Sequence, residues 1–344
     1  MRLRSFVVTA VLALPLVLTA CGSDGSEGSS TADPSSSGAA EGGTFPATVT
    51  HKFGETVVPE EPKRVVSVGV TEQDVLLQLG VVPVAVTEWY GEQPDATWPW
   101  AHDLLDGAHP EVLQTADGFE FEKIAALKPD LIVGTNAGMT KKDYELFSAI
   151  APTITSSKDS NDYFSPWQDQ VLQIARGLGR EDDGQQVVDD LEADYAKVAA
   201  EHPEWAGKTA TFSQGAPYDG ILYVYPPGLS TDFLTQLGFT MTTGFEDYAP
   251  EGSQAEISAE NVGLIDADVI VFATEDQEGF DSLQKFGTID SLPAVKENRS
   301  VYTDGTLAGA IYFDTPLARM YALEKLTPML AQAANGEAPR AFPS

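Results

Sequence analysis

One stretch of this chain occurs twice. Phe121-Glu122-Lys123-Ile124-Ala125-Ala126-Leu127-Lys128-Pro129-Asp130-Leu131-Ile132-Val133 reads as a short helix, a tight acidic turn and a buried strand. Ala259-Glu260-Asn261-Val262-Gly263-Leu264-Ile265-Asp266-Ala267-Asp268-Val269-Ile270-Val271 reads the same way. A strand that is apolar at every position needs cover on both faces, the habit of parallel sheets flanked by helices. Two such copies in 344 residues predict two similar α/β lobes, not one larger core.

The surrounding sequence fits that frame. Arg64 to Val68 reads as a strand, and Thr71-Glu72-Gln73-Asp74 has the spacing of a capping box before a helix that stops at Gly80. Val81 to Val86 and Thr153 to Thr155 are further strands of the first half. The second half offers strands at Thr209 to Phe212, Asp268 to Phe272 and Val301-Tyr302. Its helices are expected at Thr231 to Leu237, with Ser230 as N-cap, and at Ser258 to Leu264. Between the halves, Val187, Val188, Leu191, Tyr195 and Val198 form a stripe at helical spacing. The stripe predicts a helix over about 181–201, roughly 30 Å long. Such a helix serves as a strut between lobes or as a surface helix of one lobe. The expected organisation is an N-terminal lobe over 45–180, an interlobe helix over 181–203 and a C-terminal lobe over 204–344.

The first residues read as an address. Arg2 and Arg4 precede the apolar run Phe6 to Ala20, too short and interrupted for a membrane span and suited to a signal peptide. The run ends in Leu18-Thr19-Ala20-Cys21-Gly22, which resembles the lipobox of bacterial lipoproteins. That resemblance implies cleavage after residue 20 and a lipid on Cys21, holding the protein to the outer face of the cell membrane. Residues 21–44 hold no aromatic residue and no Leu, Ile or Val, so they are expected to act as a disordered tether. Cys21 is the one cysteine, which excludes an intramolecular disulfide and cysteine-rich metal sites. With 20 basic against 52 acidic residues the chain cannot neutralise a nucleic-acid backbone, so no nucleic-acid partner is expected.

Catalytic signatures are missing. No P-loop, no dinucleotide fingerprint after a strand and no nucleophile elbow is present. The sequence does gather aromatic residues. Trp89, Tyr90, Trp98 and Trp100 lie in one segment, rich in Pro, Gly and acids, that follows the Val81–Val86 strand. Ligands of open α/β sheets bind beyond the carboxyl ends of strands, so these four rings are candidate cleft walls. Asn136 follows another strand and would face the same cleft. Tyr223 and Tyr225 alternate on one strand face and could form the opposing wall or core. Trp167 at a helix start is a further candidate. Arg319, with Lys141 and Lys142, supplies the basic groups that could reach the cleft.

Pro62-Lys63-Arg64-Val65-Val66-Ser67 with the helix ending Leu79-Gly80, the Phe121–Val133 run and Ile257-Ser258-Ala259-Glu260 resemble the iron-siderophore and cobalamin substrate-binding lipoproteins of ABC importers. The tryptophan-rich loop and the tether are similar to the actinobacterial iron branch. The resemblance spans most of residues 45–335. It implies a periplasmic-binding-protein-like fold: two Rossmann-like α/β lobes with parallel sheets, joined by a single long helix, with the ligand in a cleft between them. It implies a binding protein with no cofactor of its own, iron arriving only inside a bound ferric siderophore. It also implies partnership with an ABC permease, docked by Glu122 and Glu260, one glutamate per lobe. A monomer is expected. The aromatic loop holds no basic residue and several acids, which favours a neutral or cationic chelate of hydroxamate or mixed-ligand type. Haem or a corrinoid is the alternative ligand. A secreted two-lobed α/β enzyme is the alternative class.

Overall fold

The structure is a computed structural model and describes residues 43–343 apart from 159, 161, 162, 164, 229, 251 and 252. The signal peptide, Cys21 and nearly all of the expected tether lie outside the described residues. Thr44 already belongs to the fold: its backbone N–H donates to the Gly179 carbonyl at 2.8 Å.

The strands in chain order are β1 (Ala47–His51), β2 (Gly54–Val58), β3 (Val65–Ser67), β4 (Ala85–Thr87), β5 (Glu111–Leu113), β6 (Leu131–Gly134), β7 (Thr153–Thr155), β8 (Thr209–Gln214), β9 (Ile221–Val224), β10 (Thr240–Met241), β11 (Ala255–Ser258), β12 (Val269–Ala273) and β13 (Ser300–Tyr302). The helices are α1 (Glu72–Gln78), α2 (Pro99–His102), α3 (Phe121–Ala126), α4 (Lys141–Ser148), α5 (Trp167–Gly177), α6 (Glu181–Glu201), α7 (Asp232–Thr235), α8 (Gln277–Gln284), α9 (Pro293–Lys296), α10 (Gly305–Phe313) and α11 (Pro316–Ala334).

The first lobe is built on a parallel sheet in the order β5-β4-β3-β6-β7, with the β1–β2 hairpin beside it. The second lobe has the order β11-β9-β8-β12-β13, with β10 also on β8. There β10, β8, β12 and β13 run parallel, while β9 is antiparallel to both of its neighbours, β8 and β11. The antiparallel part arises because only the turn around Asp219-Gly220 separates β8 from β9. A turn that short returns the chain beside itself, where a parallel pair would need a crossover.

The repeated run has the same function in both lobes. Asp130 accepts hydrogen bonds from the backbone N–H groups of Lys63 and Arg64, each at 2.8 Å, and so fixes the start of β3. Asp268 accepts from the N–H of Thr209 at 2.8 Å and from its hydroxyl at 3.0 Å, fixing the start of β8. These bonds to its charged form hold the Asp268 carboxyl below the usual range. An arginine closes each turn: Arg64 donates to the Leu127 carbonyl and Arg299 to those of Ala267 and Asp268. The copies differ at their helices. α3 forms as expected, but Ser258–Leu264 does not: Ser258 ends β11, a turn follows, and only the 3₁₀ turn Val262–Ile265 remains. With Ser258 held in the β11 ladder, too few residues are left before Asp266 for an α-helix.

The expected strut is present as α6, Glu181–Glu201. Glu181, Asp182 and Asp183 occupy its first turn, where carboxylates complement the helix dipole. Val188, Leu191 and Tyr195 form its buried stripe, and Gly184 lies against Ala175 of α5, letting the two helices approach closely. The C-terminal helix α11 adds a second brace. It packs on α1, α2 and α6 as well as on α10 and β13, so one apolar cluster runs from Val65 and Leu131 through Leu326 to Phe212 and Val269.

Candidate functional site

The cleft is assembled from the carboxyl ends of strands. Val68 and Val70 follow β3, Trp89 follows β4, Thr115 and Phe119 follow β5, Asn136 and Gly138 follow β6, and Tyr163 and Ser165 follow β7. All five parallel strands of the first lobe thus contribute to one wall, as the topology of an open α/β sheet dictates. Ser230 and the end of α10 with the following turn, Tyr312-Phe313-Asp314, supply the opposite wall. The enclosed volume is about 490 Å³. A second chamber of about 290 Å³ adjoins it, sharing Trp89, Ser230 and Tyr312 and lined otherwise by Tyr90, Phe212, Gln214, Tyr225, Gln254, Glu275 and Ile311. Trp89, 44% exposed, therefore stands between the two.

Buried polar groups hold the first wall. Glu72 at the start of α1 is sealed from solvent, and its carboxylate accepts from the Asn136 N–H at 2.6 Å and the Thr71 N–H at 3.2 Å. Burial pushes its carboxyl up, opposed by those hydrogen bonds. The Asn136 side chain donates to the Thr71 hydroxyl at 3.0 Å, leaving its own Oδ1 buried and unpaired at the cleft wall. This is not the expected capping box. The Thr71 hydroxyl serves Asn136, and Asp74 turns away to accept from the Trp100 indole at 2.8 Å and the Thr315 hydroxyl at 2.6 Å.

Residues 65–307 match the periplasmic binding protein family, a span that includes both walls of the cleft. The chain belongs to that family. The family and the relatives it matches are named as binding proteins, so the chain is a binding protein and not an enzyme. It is 29% identical over 325 residues to YhfQ of Bacillus subtilis, named as an ABC transporter substrate-binding lipoprotein; the match covers 88% of this chain and 90% of YhfQ. A periplasmic solute binding protein from Mycobacterium smegmatis superposes with a TM-score of 0.79 at 39% identity, covering 84% of this chain and 98% of that one. PiaA of Streptococcus pneumoniae, solved in complex with ferrichrome, superposes with a TM-score of 0.70 at 27% identity, covering 84% and 99%.

In this periplasmic binding protein the aromatic loop divides into two roles. Trp89 and Tyr90 face the cleft. Trp98 is 3% exposed and stacks between Tyr90 and Trp100, with ring centroids at 5.5 and 4.9 Å. Trp98 and Trp100 line neither chamber; they press edge-on against Phe313 and support the wall from behind. Space for the Trp98 ring comes from two glycines. A Cβ on Gly309 would lie 2.5 Å from it, and Gly91, at φ +89°, lies against the same ring.

Arg319 does not reach the cleft. Its side chain is buried behind the wall, bound to Asp314 at 2.5 Å, Asp232 at 3.0 Å and Gln236 at 2.7 Å, with the Tyr195 and Trp167 rings over its guanidinium. Trp167 is therefore a support for Arg319 and lines no chamber. Burial raises the Asp314 carboxyl to about 6 even with Arg319 opposing it. Tyr225 packs on Phe212 at 4.5 Å and lines the smaller chamber, whereas half-buried Tyr223 does not. Glu122 is exposed in the first turn of α3, and Glu260 is exposed in the turn before Val262–Ile265, not at an α-helix start. Tyr163, Tyr312, Phe313 and Glu275 are cleft residues that sequence reasoning missed. Glu275 had a usable signal, since it lies just past the strand read at Asp268–Phe272.

Proposed function

We propose that this protein captures a neutral or cationic ferric siderophore, of hydroxamate or mixed-ligand type, and delivers it to the permease of an ABC importer. The carrying observation is the chemistry of the cleft lining. Among the described residues, no lysine, arginine or histidine lines either chamber, while Asp314 and Glu275 do. An anionic catecholate complex would enter such a cleft without a countercharge. Haem would find no imidazole, thiolate or thioether for its iron, only tyrosine hydroxyls, of which burial keeps those of Tyr90, Tyr225 and Tyr312 protonated. A ferric trihydroxamate has its iron already saturated and needs only shape, aromatic faces and a few polar contacts. The PiaA–ferrichrome likeness supports the same class.

Glu122 and Glu260 are the proposed permease contacts, since both are exposed and neither belongs to the cleft. Anchoring through a lipid on Cys21 is the proposed attachment. Two braces between the lobes, α6 and α11, favour a cleft that changes little on binding. The test is a fluorescence titration with a ferric trihydroxamate, a ferric triscatecholate, haemin and cobalamin. The trihydroxamate is expected to quench the tryptophan signal at the lowest concentration. Tightest binding of the triscatecholate overturns the proposal.

A further inference from the structure

We infer that the smaller chamber is an alkylammonium subsite, seating a protonated amine carried on an outer arm of the chelate; this rests on the chelate reading of the cleft. Five rings bound the chamber: Trp89, Tyr90, Phe212, Tyr225 and Tyr312. They brace one another, with Trp89–Tyr90 centroids at 5.9 Å, Tyr90–Tyr312 at 5.8 Å and Phe212–Tyr225 at 4.5 Å. Aromatic rings attract an organic cation through the quadrupoles of their faces.

The polar end of the chamber adds one negative charge. Glu275 lines it beside Tyr90, whose hydroxyl is kept protonated by burial together with that carboxylate, while Gln214 and Gln254 line it beside Tyr225. The neighbouring Asp276 is engaged as the N-cap of α8, accepting from the Gly279 N–H at 2.7 Å. In the larger chamber the Asp314 carboxylate is matched by Arg319. Glu275 makes no ion pair among the described residues, and no basic residue lines its chamber. An aromatic box of about 290 Å³ with one uncompensated carboxylate fits a primary ammonium on a short alkyl arm and is too small for a whole chelate.

The test compares a ferric trihydroxamate bearing a pendant aminopentyl arm with the same chelate N-acetylated at that amine. The wild-type protein is expected to prefer the free amine by about tenfold. In Glu275→Gln the ratio of the two affinities should fall toward one, and in wild type it should shrink as salt is raised. Equal binding of both chelates by wild type, or a ratio that survives Glu275→Gln, overturns the subsite. Hexylammonium chloride without iron separates this from the chelate reading. Quenching by hexylammonium that depends on Glu275, with no binding of either chelate, removes the siderophore assignment and leaves the ammonium subsite standing.

Discussion

Asp74 is a carboxylate sealed between the lobes without a cation beside it. Its Oδ2 accepts from Trp100 and Thr315, and its Oδ1 has no partner. Burial pushes its carboxyl from 3.8 to about 6. Below about pH 4 the folded and unfolded chains both hold the proton. Between about pH 4 and 6 only the folded chain holds it, so the stability this proton confers is lost as pH rises through about 6. At about 1.4 kcal/mol per pH unit, the buried charge costs about 3 kcal/mol at pH 7. Asp74→Asn keeps an oxygen for both donors and removes the charge, though its amide nitrogen would replace the unpaired Oδ1 at a cost of about 1–2 kcal/mol. That amide cost is the same at every pH and cancels in a difference. Asp314, also raised to about 6, is present in both proteins and cancels too. Urea unfolding of wild type and Asp74→Asn is therefore expected to show the variant gaining about 2 kcal/mol relative to wild type between pH 4.5 and 7.5. A stability difference that stays flat with pH, or that moves the other way, refutes the reasoning.

Gly309→Ala places a methyl group 2.5 Å from the Trp98 ring and should cost about 1–3 kcal/mol in thermal unfolding, with weaker ligand binding because Trp98 backs the cleft wall. An unchanged melting temperature would show that the ring has room to move. Changing Glu122 and Glu260 together to Lys should abolish cellular uptake and leave solution affinity for the ligand intact; loss of affinity would contradict their assignment to the permease. Cys21→Ala should move the protein from the membrane fraction to the medium or leave it unprocessed, and an unaltered membrane fraction would count against the lipid anchor.

What the sequence revealed and what it hid have physical reasons. The acidic turns and the strands after them were legible because both are local, but that Asp130 and Asp268 fix the starts of β3 and β8 was not, since those bonds join residues about sixty positions apart. The α6 strut was legible because one face of a long helix writes its period into the sequence. The roles of the four aromatic residues in the loop were not. Trp98 is buried because Gly309, more than two hundred positions away, leaves it space, and composition cannot report that. Arg319 shows the same blindness from the other side. A basic residue near a cleft looks like a ligand contact until Asp232, Asp314, Trp167 and Tyr195 converge on it from four elements of the chain. The failed helix at Ser258–Leu264 is a competition between a local helical pattern and β11 pairing with β9, which tertiary contact decides.

The most direct test of the account is a crystal structure with a ferric trihydroxamate bound. The iron complex is expected in the larger chamber, against Trp89, Tyr163 and Phe313, with no protein atom coordinating the metal and the lobes little moved. A chelate bound outside the cleft, or iron held by a protein side chain, would contradict it.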